Sequence, residues 1–367
     1  MFELDEPYVG KEELNYLKQA IDTGWISSLG LFVEKFEKKF ADYIGVKYAV
    51  SCASGTSALS LLCSTLKIKE GDEAILQSLT FTADAFAMHQ SGAKIIFADS
   101  SKDSFNISPE DVKKKITKNT KIISPTHLYG RPAEIHELKE ICDANEIYLV
   151  EDCCQATGAK YKDKMVGSIG HYNFHSFHNK LIASGEGGMV TTNDKNLAER
   201  FEKLKNPPSF NRPAERDGFA EISMNHRLSN LHAAVGLAQL ERLEENIKRK
   251  IKMAEIYGEI FENVNGIKII KENPSNRTVW WRYTILLDQK INLNKFKQKA
   301  LDKGIVTREG YLPLHKHPFF KDHNKLILPN AEKLGKEAVD IPSSFNLKEE
   351  EIIKIGQNIK QIVKDLF

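Results

Sequence analysis

Apolar positions recur along the chain with two periods, and the switches between them mark out its elements. Residues 11–23, KEELNYLKQAIDT, carry Leu14, Leu17 and Ile21, the spacing of a helix with one buried face, and Gly24 ends it. A second helix is predicted at about 31–43, where Phe32, Phe36 and Phe40 form a stripe best read as core. Short β-prone runs follow at 48–50, 73–76, 94–98, 121–124 and 148–150, each bounded by polar or glycine-rich residues. The segment 51–62 turns into a helix, and helical patterns at about 108–116 and 134–145 alternate with the later strands. That alternation predicts a mainly parallel sheet between helices.

Further on, 189–192 reads as a strand entered from a glycine-rich turn, and 206–218 is too polar and Pro-rich for regular structure. One long helical pattern from Asn230 to about Phe261 is expected to connect two domains. Beyond it the composition shifts to a smaller unit, with strands at 267–270 and 281–287 and helices at 294–303 and 348–366. The division predicted is a large domain at 1–245 and a small α+β domain at 246–367, and 367 residues are ample for a core in each.

Composition narrows the class. Apolar residues at 41% and charged residues at 28% suit a soluble globular protein, and a net charge of +2 offers no broad case for nucleic acid or membrane binding. No run of about eighteen apolar residues occurs, and the N-terminus MFELDEPYVG has no signal-peptide core. Five cysteines, two of them adjacent at Cys153 and Cys154, suggest reduced thiols in a cytoplasmic protein. No His or Cys at metal-ligand spacing accompanies that pair, so packing is the expected role and no metal is predicted.

The chemistry concentrates between Ile147 and Met189. Glu151-Asp152 closes an apolar strand, at the sheet end where open α/β folds place their ligands. Lys180 follows in a polar stretch leading to Gly185-Glu186-Gly187-Gly188. A strand-end carboxylate and a lysine in a glycine-flanked loop are what pyridoxal phosphate (PLP) chemistry requires, a Schiff-base amine and an acid that keeps the pyridine nitrogen protonated. Singly, each reads as well otherwise: a solvated lysine among 52 Lys and Arg, a helix-capping aspartate, a plain hairpin. Gly55-Thr56-Ser57 stands where a strand becomes a helix, a position suited to a phosphate but also to an ordinary capped helix. Phe81, one of 19 phenylalanines, follows a strand end from which a ring could stack on a pyridine for about 1 kcal/mol.

The ordered pattern EDxxQAxGAxYKxKxVGSxG, then SF, NK and GEGGMVTTND, resembles the DegT/DnrJ/EryC1/StrS aminotransferases, and the likeness runs from Gly24-Trp25-Ile26-Ser27 to Pro313-Leu314-His315. The resemblance implies fold type I: a large domain with a mixed, mainly parallel sheet and a smaller C-terminal domain. It also implies PLP as cofactor, a nucleotide-linked keto-sugar as substrate, L-glutamate as amino donor, and a homodimer with shared sites. It makes Lys180 the Schiff-base lysine, Asp152 the pyridinium partner and Gln155 a neighbour of the ring oxygen. Gly55, Thr56, Ser57 and Ser176 go to the phosphate, joined by Asn225 from the partner subunit, and Phe81 to the ring face. Trp25, Ser27, Arg227, Arg308, Tyr311 and His315 become candidates for substrate contacts. The run around Lys180 is most similar to the perosamine-synthase branch, which aminates a 4-keto-6-deoxyhexose. One departure stands out: Ser176-Phe177 is followed by only His178-Asn179 before Lys180, a turn one residue short, crowded by His171, His175 and His178. Alternatives implied by the same family are a sugar 3-dehydratase, in which histidine replaces the lysine, and a non-catalytic regulatory protein.

Overall fold

A computed structural model describes residues 1–206 and 223–367, so nearly all of the 206–218 loop expectation falls outside the described residues. The chain runs through α1 (Lys11–Asp22), α2 (Leu31–Ile44), β1 (Tyr48–Cys52), α3 (Gly55–Thr65), β2 (Glu73–Gln77), α4 (Ala83–Gln90), β3 (Lys94–Ala98), α5 (Pro109–Lys115) and β4 (Thr120–Ser124). It continues with α6 (Ile135–Ala144), β5 (Tyr148–Asp152), β6 (Lys160–Tyr161), β7 (Lys164–Met165), β8 (Tyr172–Ser176), β9 (Gly188–Thr192), α7 (Lys195–Lys205), α8 (Asn230–Glu241) and α9 (Leu243–Phe261). Then come β10 (Ile267–Lys268), β11 (Tyr283–Leu287), α10 (Leu293–Asp302), β12 (Arg308–Glu309), α11 (Pro329–Glu337), β13 (Ala338–Ile341) and α12 (Glu349–Leu366).

Seven strands form one sheet in the order β1-β9-β8-β5-β4-β2-β3. Only β9 runs against its neighbours, β1 and β8; the other pairs are parallel. The apolar strands are buried on both faces, as a helix-covered sheet demands. On one face Val150, Ile122, Phe174 and Val190 pack with α3, α4 and α7; on the other Ile75, Ile123 and Leu149 pack with α5 and α6. Residues 172–176, just before the short turn that leads to Lys180, form β8, because Tyr172 and Phe174 alternate into the first of those cores. A second, antiparallel sheet, β10-β11-β13-β12, packs with α9 and α12 around Tyr257, Tyr283 and Ile355. The N-terminal residues also attach there: Phe2 bridges Ile305, and the Ser343 amide donates to Leu4 O.

Two helical expectations change. The face of α1 toward α8 carries buried Glu13 and Ala20, whereas Leu14 and Ile21 point outward at 68% and 62% exposure. Glu13 goes inside because Arg242 pairs with it and the Gln239 amide donates to it at 2.7 Å. The single helix expected from 230 to 261 is broken at Arg242, whose backbone (φ −105°, ψ 6°) leaves the helical region as its guanidinium reaches Tyr8 O and Glu13. By contrast, the Phe32, Phe36 and Phe40 stripe is buried as its spacing predicts, against Ala233, Leu237 and Phe177.

The two sheets meet where the Val279 amide donates to Gly130 O, ahead of β11. Gly130 has φ +88°, and an added Cβ would lie 2.9 Å from the backbone nitrogens of both Trp280 and Trp281. Neither atom can move without breaking the junction. Gly130→Ala is therefore expected to destabilise the protein by roughly 2 kcal/mol or more. A urea titration checks this through its midpoint, and an unchanged midpoint would show that the junction does not need the glycine.

Candidate active site

Strand alternation sends the two acids that end β5 to opposite faces. Glu151 accepts from the amides of Gly167 and Ile169, both at 2.9 Å, from that of Gly170, and from His127 Nε2 at 3.0 Å. It is the acceptor that folds the loop before β8, with no lone pair left over. His127 Nδ1 accepts from the Ala133 amide, so its Nε2 carries the proton. The buried trio His127, Glu151 and Cys153 is thus committed to internal hydrogen bonds and offers no open set of metal-ligand lone pairs. Asp152 lies on the α3 face, where its Oδ1 accepts from the Cys154 amide at 2.9 Å. Burial raises its carboxyl above the usual range, while the Cys154 hydrogen bonds, His127 and Lys180 pull it back.

The turn after β1 comes to the same place. Ser54 caps α3 by accepting from the Ser57 amide at 3.0 Å, and Ser57 Oγ takes the Ser54 hydroxyl. The first amides of the helix, at Gly55 and Thr56, are left for an external acceptor. Gly55 has no room for a side chain: a Cβ there would stand 2.9 Å from Ser176 Cβ and 3.3 Å from Cys154 Sγ. Ser176 at the end of β8 therefore faces the helix N-terminus directly. This is a cradle for an anionic oxygen group.

Lys180 reaches this space from Asn179, whose backbone is left-handed at φ +30°. The Asn179 amide side chain donates to Asp5 O at 3.1 Å, and Trp281 Nε1 donates to Asn179 O at 3.4 Å. Lys180 Nζ lies 3.6 Å from the centre of the Trp281 ring, with the Arg282 guanidinium 4.4 Å from the same ring. Burial first, and Arg282 next among the opposing influences, lower the Lys180 ammonium to about 8, although Cys154, Asp152 and Asp5 act the other way. Trp281 is in turn fixed from below, since fully buried Lys250 donates to Trp281 O at 3.1 Å and to Ser343 O.

The other sequence candidates divide. Gln155 accepts from the Tyr129 amide at 2.8 Å and donates to Tyr311 Oη at 3.3 Å, so residues of both sheets' loops join beside Asp152. Arg308 lies over the Tyr311 ring at 5.2 Å and shares buried Asp340 with Arg282. Phe81 leaves its ring 56% exposed. His315 is a correction. Its ring is fully buried, with Nδ1 2.6 Å from Ser78 Oγ and Nε2 3.1 Å from Glu332, so it ties its loop to the end of β2 and shows no surface to a ligand. Trp25 and Ser27 are exposed, their carbonyls held by Asn230. Asn225 is also exposed, its Oδ1 2.9 Å from Arg227 Nε.

None of the three histidines of the 170–180 stretch stands free in the cavity as a proton carrier. His175 is buried, bonded to Thr157 and lowered to about 3 by burial; His171 serves the Leu149 amide; and His178 is on the surface, 4.0 Å from Glu186. Sequence reasoning missed Asp5, Asp84, Trp281 and Arg282. For the last two a signal existed, a Trp-Trp-Arg run heading a strand.

These residues fit PLP. The Gly55–Ser57 turn with Ser176 suits its phosphate, Asp152 its ring nitrogen, and the lowered amine of Lys180 its aldehyde carbon. The comparisons agree. A GDP-perosamine synthase from Escherichia coli is 36% identical over 363 residues, covering 98% of each chain. The dTDP-3-amino-3,6-dideoxy-alpha-D-galactopyranose transaminase of Aneurinibacillus thermoaerophilus is 31% identical over 354 residues, covering 96% of this chain and 95% of its own. The crystal structure of the aminotransferase TlmJ from Streptoalloteichus hindustanus superposes with a TM-score of 0.94 at 25% identity, over 100% of each chain. The match to the family itself covers residues 7–360, and the chain belongs to the DegT/DnrJ/EryC1/StrS family of PLP-dependent aminotransferases.

Proposed function

We propose that this enzyme transfers an amino group from L-glutamate to the keto carbon of a nucleoside-diphosphate-linked sugar, a GDP-4-keto-6-deoxyhexose, in amino-sugar synthesis for a polysaccharide of the O-antigen type. The observation that carries the reading is the convergence of Lys180, Asp152, Gly55 and Ser176 around Cys154. The two relatives above support a nucleotide sugar, and the greater identity is to the GDP-perosamine synthase.

When bound, the cofactor supplies an electron sink that stabilises a carbanion next to nitrogen. Lys180 Nζ would be the amine that holds it. Were an incoming amine to displace it, Nζ could accept a proton from the substrate carbon and return it elsewhere, because an amine titrating at about 8 keeps a neutral fraction near physiological pH that an ordinary lysine lacks. Asp152 would face the ring nitrogen with its charge. Ser57, Ser176 and the Gly55 amide would orient the phosphate, while Gln155 and Tyr311 would bound the ring side. Arg308, with one Asp340 carboxylate shared between two guanidiniums, leaves net positive charge for an anionic substrate group. The dehydratase reading finds no support at position 180, which is lysine.

The dimer belongs to the same proposal. An exposed apolar row, Leu14, Ile21, Trp25, Ile26, Leu29 and Leu31, lies on and after α1, uncovered by any of the described residues. A second copy would cover such a row. Asn225, pointing outward, would then reach the partner's phosphate turn. The enzyme is expected in the cytoplasm, and among the described residues no helix is long and apolar enough to cross a membrane.

Turnover assayed with a panel of GDP-, dTDP- and UDP-linked keto-sugars and glutamate tests the substrate assignment; a preference for a dTDP- or UDP-sugar would overturn the GDP reading. Lys180→Ala is expected to reduce that turnover by roughly 10³-fold or more while leaving the thermal midpoint near the parent value. Asp152→Asn keeps shape but removes charge, with an expected loss of about 10²-fold or more; retention of most activity would exclude its proposed partner. Mixing inactive Lys180→Ala and Asn225→Asp chains should regenerate one intact site per mixed dimer. Mixed dimers that form yet recover no activity would rule out shared sites.

A further inference from the structure

A second buried carboxyl group stands near Asp152. Asp84, on α4, is 3% exposed, against 4% for Asp152. The two lie on the same face of the sheet. Thr126, just past β4, forms a parallel bridge with Asp152, and Ser124 precedes it by two residues, so all three side chains point one way. Asp84 reaches that row from the helix layer, its Oδ2 3.4 Å from Ser124 Oγ. Thr80 Oγ1 closes the same row by donating to Thr126 at 2.9 Å, directly before Phe81. The loop that presents the aromatic ring and the helix that presents Asp84 are thus one continuous segment.

We propose that Asp84 and Asp152 form a carboxyl pair that holds a single proton, resident on Asp84, which keeps Asp152 ionised beneath the cofactor's ring nitrogen. The inference rests on the assignment of Asp152 to that nitrogen. Two enclosed carboxylates acting on one another cannot both be ionised without large cost. The titratable and charged groups around the pair are few: Cys63 from α3, Cys154 after β5, Lys180, and His127. Lys180 and His127 act on Asp152, which also has the Cys154 amide; none of the charges acting on Asp84 is a cation. Burial and then the Asp152 charge push Asp84 well above the carboxylate range. The proton therefore sits on Asp84. Ser124 Oγ donates to its Oδ2, and the hydroxyl row of Ser124 and Thr126 leads on to Asp152, making Asp84 a positioning residue for the acid assigned to the cofactor.

The pair has a signature in the cofactor-free protein. A buried acid raised in the folded state contributes stability below its unfolded value and loses it as pH climbs through the folded one. Wild-type protein should thus lose midpoint temperature as pH rises above the ordinary carboxylate range through this group, whereas Asp84→Asn, which cannot ionise, should lose less by several degrees at the alkaline end. Infrared spectra at neutral pH should show a protonated carboxyl band that Asp84→Asn removes. Turnover of Asp84→Asn should stay within about tenfold of wild type, because a neutral group of the same shape remains. If Asp84→Asn is insoluble, Asp84→Ser serves for the same two spectroscopic and thermal comparisons. An unchanged band and an unchanged pH dependence would overturn the pairing, whatever Asp152 does. Full activity in Asp152→Asn would instead overturn the ring-nitrogen assignment, and with it the role given to Asp84, even if the band and pH dependence show that the pair exists.

Discussion

Bringing a lysine amine out of water is the constraint on which the rest of this site depends. An isolated ammonium in a dry cavity is prohibitively costly, so it must be neutralised or compensated. Here Lys180 is compensated by the face of Trp281 at 3.6 Å and opposed by Arg282 behind the same ring, which leaves it poised between its two protonation states. The indole must then be immobile. Its position is set by the Gly130–Val279 junction, by Lys250 beneath its carbonyl, and by Asn179 at its ring nitrogen. The contact between the two sheets is therefore part of the chemistry, since it determines how readily one amine gives up a proton.

Where one period governed a segment, the sequence could be read directly. The phenylalanine stripe of α2 and the strands β2 to β5 are of this kind, because burial on a known face fixes residue type there. Reading failed where a polar residue went inside in pairs. Nothing in KEELNYLKQAIDT announces that Glu13 will be buried by Arg242, more than two hundred residues away, and that Leu14 and Ile21 will be turned outward as a result. The break at Arg242 has the same long-range origin. His315 looked available for the same reason: its partners, Ser78 and Glu332, are distant in the chain.

For the site, Lys180, Asp152, Gly55 and Ser176 were offered as candidates by an ordered motif, and the structure sets them around Cys154. Trp281 and Arg282 were not, since they act on the lysine from another sheet. Asp84 sits in a short helix of small residues, and its meaning emerges only once strands β4 and β5 are seen side by side.

The adjacent acids Glu151 and Asp152 carry one more implication. Because successive side chains of β5 face opposite layers, shifting the strand forward by one position would put Glu151 in the place of Asp152 and Val150 in the place of Glu151. A longer carboxylate would then face α3, and the Gly167, Ile169 and Gly170 amides and His127 would meet an apolar side chain. The alignment of this strand is thus locked twice, once by the three loop amides and His127 that Glu151 gathers and once by the single carboxylate needed on the α3 face. An insertion or deletion within β5 should disable both at a stroke, while indels in the outlying hairpin β6–β7 leave that lock untouched.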